Sequence, residues 1–254
     1  MPHFPHLSAN IPCFGFSSIV VDAGGSQAYS TIANAVTAIT LRPAPRIIWV
    51  MAGTYAESFT LPAQTYLIGV GEVNITGSIT LTDSAAGPYL LENLRVTSAA
   101  AGTCVDADMD SVVGDVRIRD CTLTTSGGGT AITLQAAQLT LDNVVISCTS
   151  STGISALGTL TTAPNTTRIR GGNVRIFGTD VTAAIVTADG AAGLHVDVEI
   201  EDLTLELTAA AAVSVGVILA TTGAVTAAQP RNGAWIGNLH CFAAGAGAFA
   251  TTFF

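Results

Sequence analysis

A chain of 254 residues that is 49% hydrophobic, 11% charged and of formal net charge −9 is long enough to bury a sizeable core, yet thinly charged for its length. The acidic balance argues against nucleic acid, which is gripped by a basic stripe. All nine basic residues are arginine, which removes a lysine nucleophile, a Schiff-base lysine and a phosphate-loop lysine from the possible chemistries.

Taken in chain order, residues 1–16 open Met-Pro-His-Phe-Pro-His and are rich in Pro and Phe, so an extended arm is expected there. The arm lacks a basic segment followed by an apolar run, so no secretory signal is expected. Residues from about 29 to 40 place Ile32, Val36 and Ile39 on one face of a short helix, with Ser30 as the expected N-cap. Such a helix would cover the open first coil of a solenoid, whose bare strand edge otherwise invites aggregation.

The larger part of the chain is organised by a repeat. An Asn or Asp stands directly before an apolar-x-apolar triplet at Asn93, Asp120, Asn143, Asn173, Asp202 and Asn238, with spacings of 27, 23, 30, 29 and 36 residues. With the Asn/Asp numbered zero, positions −4, −2, +1 and +3 are apolar at 23 of 24 places, Gly171 being the exception. The intervening positions −3, −1 and +2 are apolar at only three of 18, namely Leu90, Val145 and Trp235. This is a period of two, the mark of strands with one buried face. The inward parity flips across position zero, so two short strands meet there at a bend, and Asn and Asp tolerate the left-handed backbone that such a bend needs. Stacked coils would set the six side chains in a row about 4.8 Å apart.

The segments Val21–Val36, Arg46-Ile-Ile-Trp-Val-Met-Ala-Gly-Thr-Tyr-Ala-Glu57 and Tyr66-Leu-Ile-Gly-Val-Gly71 resemble the opening of pectinesterases and other pectin-lyase-like proteins. The resemblance covers roughly residues 20–71. It implies an all-β fold, a single right-handed parallel β-helix over 17–254 with a short N-terminal capping helix, and that opening is shared by enzymes and by non-catalytic viral fibre and decoration proteins. Pectinesterases are similar in carrying a Gly-Tyr-Gln-Asp-Thr-like and a later Asp-Phe-Ile-Phe-Gly-like segment that bring two catalytic carboxylates together. Neither segment occurs in this chain.

Charged residues elsewhere have simple expected roles. At position −1, Glu92, Arg119 and Asp142 fall in successive coils, and at −3 so do Arg170 and Glu199. Opposite charges across neighbouring strands pair usefully, so these are expected to be ladder pairs rather than an active site. The triplet Asp106, Asp108 and Asp110 would share one strand face. It could lie in a solvated turn, bind a cation or supply an acid/base pair, and the solvated turn is the reading preferred here. His195 and His240 stand apart from any nucleophile pattern, and His3 and His6 lie in the arm. The five cysteines, Cys13, Cys104, Cys121, Cys148 and Cys241, include no CxxC pair, so buried free thiols are expected rather than disulfides or a zinc site. No catalytic, cofactor-binding or metal residue is assigned.

The uncharged stretch from Leu207 to Pro230 is Ala- and Thr-rich and lacks a long Leu/Ile/Phe run, so no membrane span is expected. After Glu206 only Arg231 is charged, and so apolar a surface predicts a homo-oligomer; a trimer follows from the resemblance. The favoured function is a non-enzymatic structural protein of a phage particle located in the virion, the viral assignment following only from the resemblance. In that reading it is a capsid decoration or cement subunit, or a short fibre or spike, and its partner is the major capsid protein or another virion protein. The alternative is a polysaccharide-active lyase or hydrolase on a β-helix scaffold, to be recognised by an outward groove with at least two converging carboxylates and aromatic stacking residues; the repeat offers few outward aromatics, Trp235 the clearest, which favours the structural reading.

Overall fold

Alternation with a period of two, interrupted every few dozen residues by a left-handed bend, leaves a chain one efficient way to bury its apolar face: it coils, and each coil hydrogen-bonds to the next. The computed structural model describes residues 16–82, 87–108, 114–135, 137–158, 167–189, 196–209, 214–221, 233–245 and 249–252. Among these residues, nineteen strands and one short helix (α1, Ile32–Thr40) form a parallel β-solenoid. The first sheet contains β1 (Ser17–Val21), β2 (Arg46–Tyr55), β4 (Thr65–Thr76), β6 (Pro88–Glu92), β7 (Arg95–Thr97), β9 (Gly114–Arg119), β10 (Thr122–Ser126), β12 (Ala137–Thr149), β14 (Thr167–Thr179), β16 (Val196–Ala209) and β18 (Gly233–Gly245). The second contains β3 (Phe59–Leu61), β5 (Ile79–Leu81), β8 (Thr103–Asp108), β11 (Thr130–Gln135), β13 (Thr152–Gly158), β15 (Ala183–Asp189), β17 (Ser214–Thr221) and β19 (Phe249–Thr252). In the second sheet each strand pairs with the next in chain order, from β3 to β19.

The repeat read from the sequence is the register of the stack. Glu92 pairs with Arg119, Arg119 with Asp142, Val144 with Val174, Val174 with Leu203 and Asp202 with Asn238. The six Asn/Asp positions therefore stand in one row. Asn93, Asp120, Asn143 and Asn173 have φ between 52° and 54°, the left-handed region expected at the bend. Their side chains also bond along the row. Asn143 Nδ2 donates to Asp120 Oδ1 at 2.7 Å, Asn173 Nδ2 to Asn143 Oδ1 at 2.9 Å, and Asn93 Nδ2 to the Gly69 carbonyl at 2.9 Å.

The inward columns fill the core as predicted. Leu91, Ile118, Leu141 and Ile200 before the bend, and Leu94, Cys121, Val144, Val174 and Leu203 after it, are buried. Each such aliphatic side chain contributes about 1.5–3 kcal/mol. Tyr89 is buried too, and its hydroxyl donates to the Thr82 carbonyl at 2.6 Å.

The capping helix forms, but one residue later than Ser30 would set it. Thr31 is the N-cap, its Oγ1 accepting from the Asn34 N–H at 3.3 Å. The reason is non-local. The Glu57 carboxylate accepts from the N–H groups of Ile32 at 2.7 Å and Ala33 at 2.9 Å, so a side chain beyond β2 satisfies the first free donors of the helix and fixes where it starts. Ile32, Ala35, Val36 and Ile39 close the end of the core.

The expected arm lies, except for Phe16, outside the described residues, as does most of the low-charge C-terminal surface on which the expected self-association rests. No helix among the described residues is long and apolar enough to cross a membrane. Cys104, Cys121 and Cys148 are buried free thiols, and the side chain of Cys241 lies outside the described residues.

Two predictions follow from the stack. Replacing Asn143 by Ala removes two side-chain hydrogen bonds and leaves a left-handed residue without a side chain suited to it, at a cost of about 2 kcal/mol. Asn143→Gly keeps the backbone conformation and should cost about half as much, read as the urea midpoint at unchanged slope. Burial pushes the Cys121 thiol up to about 12 and the Cys148 thiol up to about 11. The unfolded thiol ionises at about 8.5, so above that pH the unfolded chain releases protons that the folded chain keeps. Stability should therefore fall as the pH rises from about 9 towards 11–12, and Cys121→Ala should make that decline shallower in thermal melts.

Candidate functional site

Outward positions of a parallel stack form columns, because each residue lies beside its counterpart one coil on. Position −1 of the first sheet reads Glu92, Arg119, Asp142, Gly172, Glu201 along the stack, and position −3 reads Arg117, Thr140, Arg170, Glu199. The ladder pairs expected from the sequence form: Arg119 meets Glu92 at 2.6 Å and Arg170 meets Glu199 at 3.1 Å. Arg119 stands between Glu92 and Asp142 and takes the former, and this carboxylate holds its guanidinium pKa above the usual value.

The same residues also frame a feature that pairing alone does not describe. At Gly171 and Gly172 the stack lacks two successive side chains, one inward and one outward. An open depression of about 530 Å³ lies there, lined by Asp142, Arg170, Gly171, Gly172, Glu199 and Glu201 among others. The two glycines do different work. A Cβ on Gly171 would meet Val174 Cγ2 at 2.9 Å and the Leu141 carbonyl at 3.3 Å, so glycine there is a packing requirement. A Cβ on Gly172 would meet nothing within 4 Å, so glycine there leaves the floor open. Asp142, Arg170, Glu199 and Glu201 are all exposed, and three carboxylates face one opening with one guanidinium.

Sequence reasoning saw Asp142, Arg170 and Glu199 but assigned them only to ladders. It did not single out Glu201 or Gly172. The available signal was the one break in the inward columns, Gly171, followed by a second glycine between two acidic residues of the same outward column.

The Asp106 triplet is placed elsewhere. Asp106 is half-buried on the second sheet, in register with Thr80 and Thr133. The side chain of Asp108 and all of Asp110 lie outside the described residues, as do His3, His6, His195 and the side chain of His240. Among the described residues no group of three or more His, Cys, Asp or Glu side chains is arranged to hold a metal ion. Glu57, in the segment that carries the family resemblance, caps the helix and is not part of the groove.

No protein-family model and no curated protein sequence matches the chain. Two solved structures of pectin methylesterase from Aspergillus niger share its architecture. One, in a penultimately deglycosylated form, has a TM-score of 0.55 at 15% identity and covers 91% of this chain and 86% of its own. The other, in a deglycosylated form, has a TM-score of 0.53 at 13% identity and covers 90% and 86%. The fold is that of the pectin-lyase-like right-handed parallel β-helices. At such identity the likeness establishes the fold alone.

The pectin-lyase-like comparison corrects the favoured functional expectation. A non-enzymatic phage structural protein finds no counterpart among these neighbours, which are enzymes built on the same scaffold. The depression brings Asp142, Glu199 and Glu201 to one opening, but its lining includes none of the aromatic side chains by which the alternative was also to be recognised. A capsid partner and a virion location follow only from the structural role and lose that basis with it.

If the two glycines differ as described, substitutions at adjacent positions should behave oppositely. Gly171→Ala forces Val174 or the Leu141 backbone to move and should cost about 1–3 kcal/mol. Gly172→Ala should leave the urea midpoint within about 0.5 kcal/mol of the parent.

Proposed function

We propose that the chain is a polysaccharide-active hydrolase on a β-helix scaffold, acting in the outward groove over Gly172. The observation that carries this reading is the placement of Asp142 and Glu201 on either side of a residue with no side chain, in a depression open along the sheet. Strand spacing puts their backbones two coils, about 9.6 Å, apart. Roughly 6.5–9.5 Å between carboxyl groups leaves room for a water molecule beside the scissile bond.

In that geometry one carboxyl group donates its proton to the departing glycosidic oxygen. The other accepts a proton from water as the water oxygen bonds to the anomeric carbon and the old carbon–oxygen bond breaks. The proton lost by the first group and the proton gained by the second balance, and proton exchange with solvent resets the pair. Arg170, tied to Glu199 at 3.1 Å, borders the opening and orients hydroxyl groups of the sugar.

A second reading, ester hydrolysis, is supported by the fold shared with pectin methylesterases. The products separate the readings. Glycoside hydrolysis releases new reducing ends with inverted anomeric configuration, visible by proton NMR; ester hydrolysis releases an alcohol; a lyase leaves an unsaturated end. We expect reducing ends, with Asp142→Asn and Glu201→Gln each lowering kcat by about 10²–10⁴-fold and Glu72→Gln, away from the groove, leaving it unchanged. Turnover indifferent to both groove substitutions would remove the site from the mechanism.

A further inference from the structure

We infer that the glycan taken by this groove is uncharged, and that acidic polysaccharides are disfavoured by the net negative charge of the groove and the pairing of the arginines around it. The inference rests on the groove being a polysaccharide site. A polyanionic chain is held by cations that can turn towards it, and lysine is missing from the whole sequence. Eight of the nine arginines fall among the described residues, and each already has a partner. On the outward face, Arg170 binds Glu199 at 3.1 Å, Arg119 binds Glu92 at 2.6 Å and Arg117 binds Asp115 at 3.0 Å. Off that face, Arg95 pairs with Glu72 and Arg175 with Glu206, Arg42 and Arg46 donate to backbone carbonyls, and Arg168 is engaged as well.

The groove itself carries three carboxylates, Asp142, Glu199 and Glu201, against the single guanidinium of Arg170, a formal charge of −2. A uronate or sulfate group entering it would meet net repulsion and no unpaired cation among the described residues, within a chain of net charge −9. Further along the same outward face towards the N-terminus, the columns turn from charged pairs to Leu90, Ile68, Tyr66 and Trp49, all partly exposed. Carbon-rich and aromatic surface of this kind suits the faces of neutral sugar rings. A glycan lying along the sheet would thus pass from an apolar platform over neutralised pairs to the carboxylates, meeting there only the paired guanidinium of Arg170 among the described residues.

The test is binding, which does not depend on turnover. Matched polymers differing only in charge are compared by affinity electrophoresis at low and physiological salt: hydroxyethyl- against carboxymethyl-cellulose, methyl-esterified against free-acid galacturonan, and dextran against dextran sulfate. The inference expects the uncharged member of at least one pair to be retained about tenfold more strongly than its charged partner. It also expects Glu199→Gln, which frees Arg170 at an exposed position, to gain about fivefold for the charged member. Salt-sensitive retention of the charged member by the parent protein would overturn the inference while leaving a polysaccharide site in place. Retention of neither member of any pair would overturn the polysaccharide reading, and this inference with it.

Discussion

Register between one coil and the next is the constraint on which the rest of this molecule depends. In a parallel stack each residue has one neighbour above and one below, so a slip of one position would turn every inward side chain outward. The slip is opposed at the bend. A left-handed residue there fixes where the parity changes, and the amide bonds from Asn173 to Asn143 and from Asn143 to Asp120 tie successive bends together. Between the bends, loop lengths vary freely, which is why offsets as different as 23 and 36 residues coexist in one stack.

Once register is fixed, the outer face becomes a set of columns, and chemistry can be placed on it by choosing what stands in each rung. Most rungs hold opposite charges that neutralise one another. Exposed pairs of this kind are each worth about 0–1 kcal/mol, too little to define the fold, so the columns are free to carry something else. At Gly171–Gly172 they do: a packing glycine on the inside and an open rung on the outside, with acidic residues on both flanks. The same backbone periodicity that builds the core thus spaces the carboxylates.

Much of the fold was legible because its signals are local. The period of two, the parity flip and the Asn/Asp row all lie within short windows, and the register confirms them at every coil where it is described. The helix was legible from Ile32, Val36 and Ile39, but its first residue was not, since Glu57 reaches it from 25 residues away in the chain. The groove was less legible still. Asp142, Gly172 and Glu201 are separated by 30 and 29 residues and become neighbours only through the stack. Reading each column for opposite charges found the pair Arg170–Glu199 and passed over the empty rung beside it. The expectation of an inert structural protein drew on the β-helix, the Pro/Phe-rich arm, the apolar surface and the missing catalytic segments, and a missing segment says little when acidic side chains can be assembled from separate coils.

The central claim is that stacking assembles a glycan site over Gly172. Its most direct test is a crystal structure of the Glu201→Gln variant soaked with an oligosaccharide of the glycan it retains. The account predicts sugar density lying along the first sheet, over Gly172 and within hydrogen-bond reach of Asp142 and Arg170. Density confined to another face, such as the second sheet near Asp106, would contradict it.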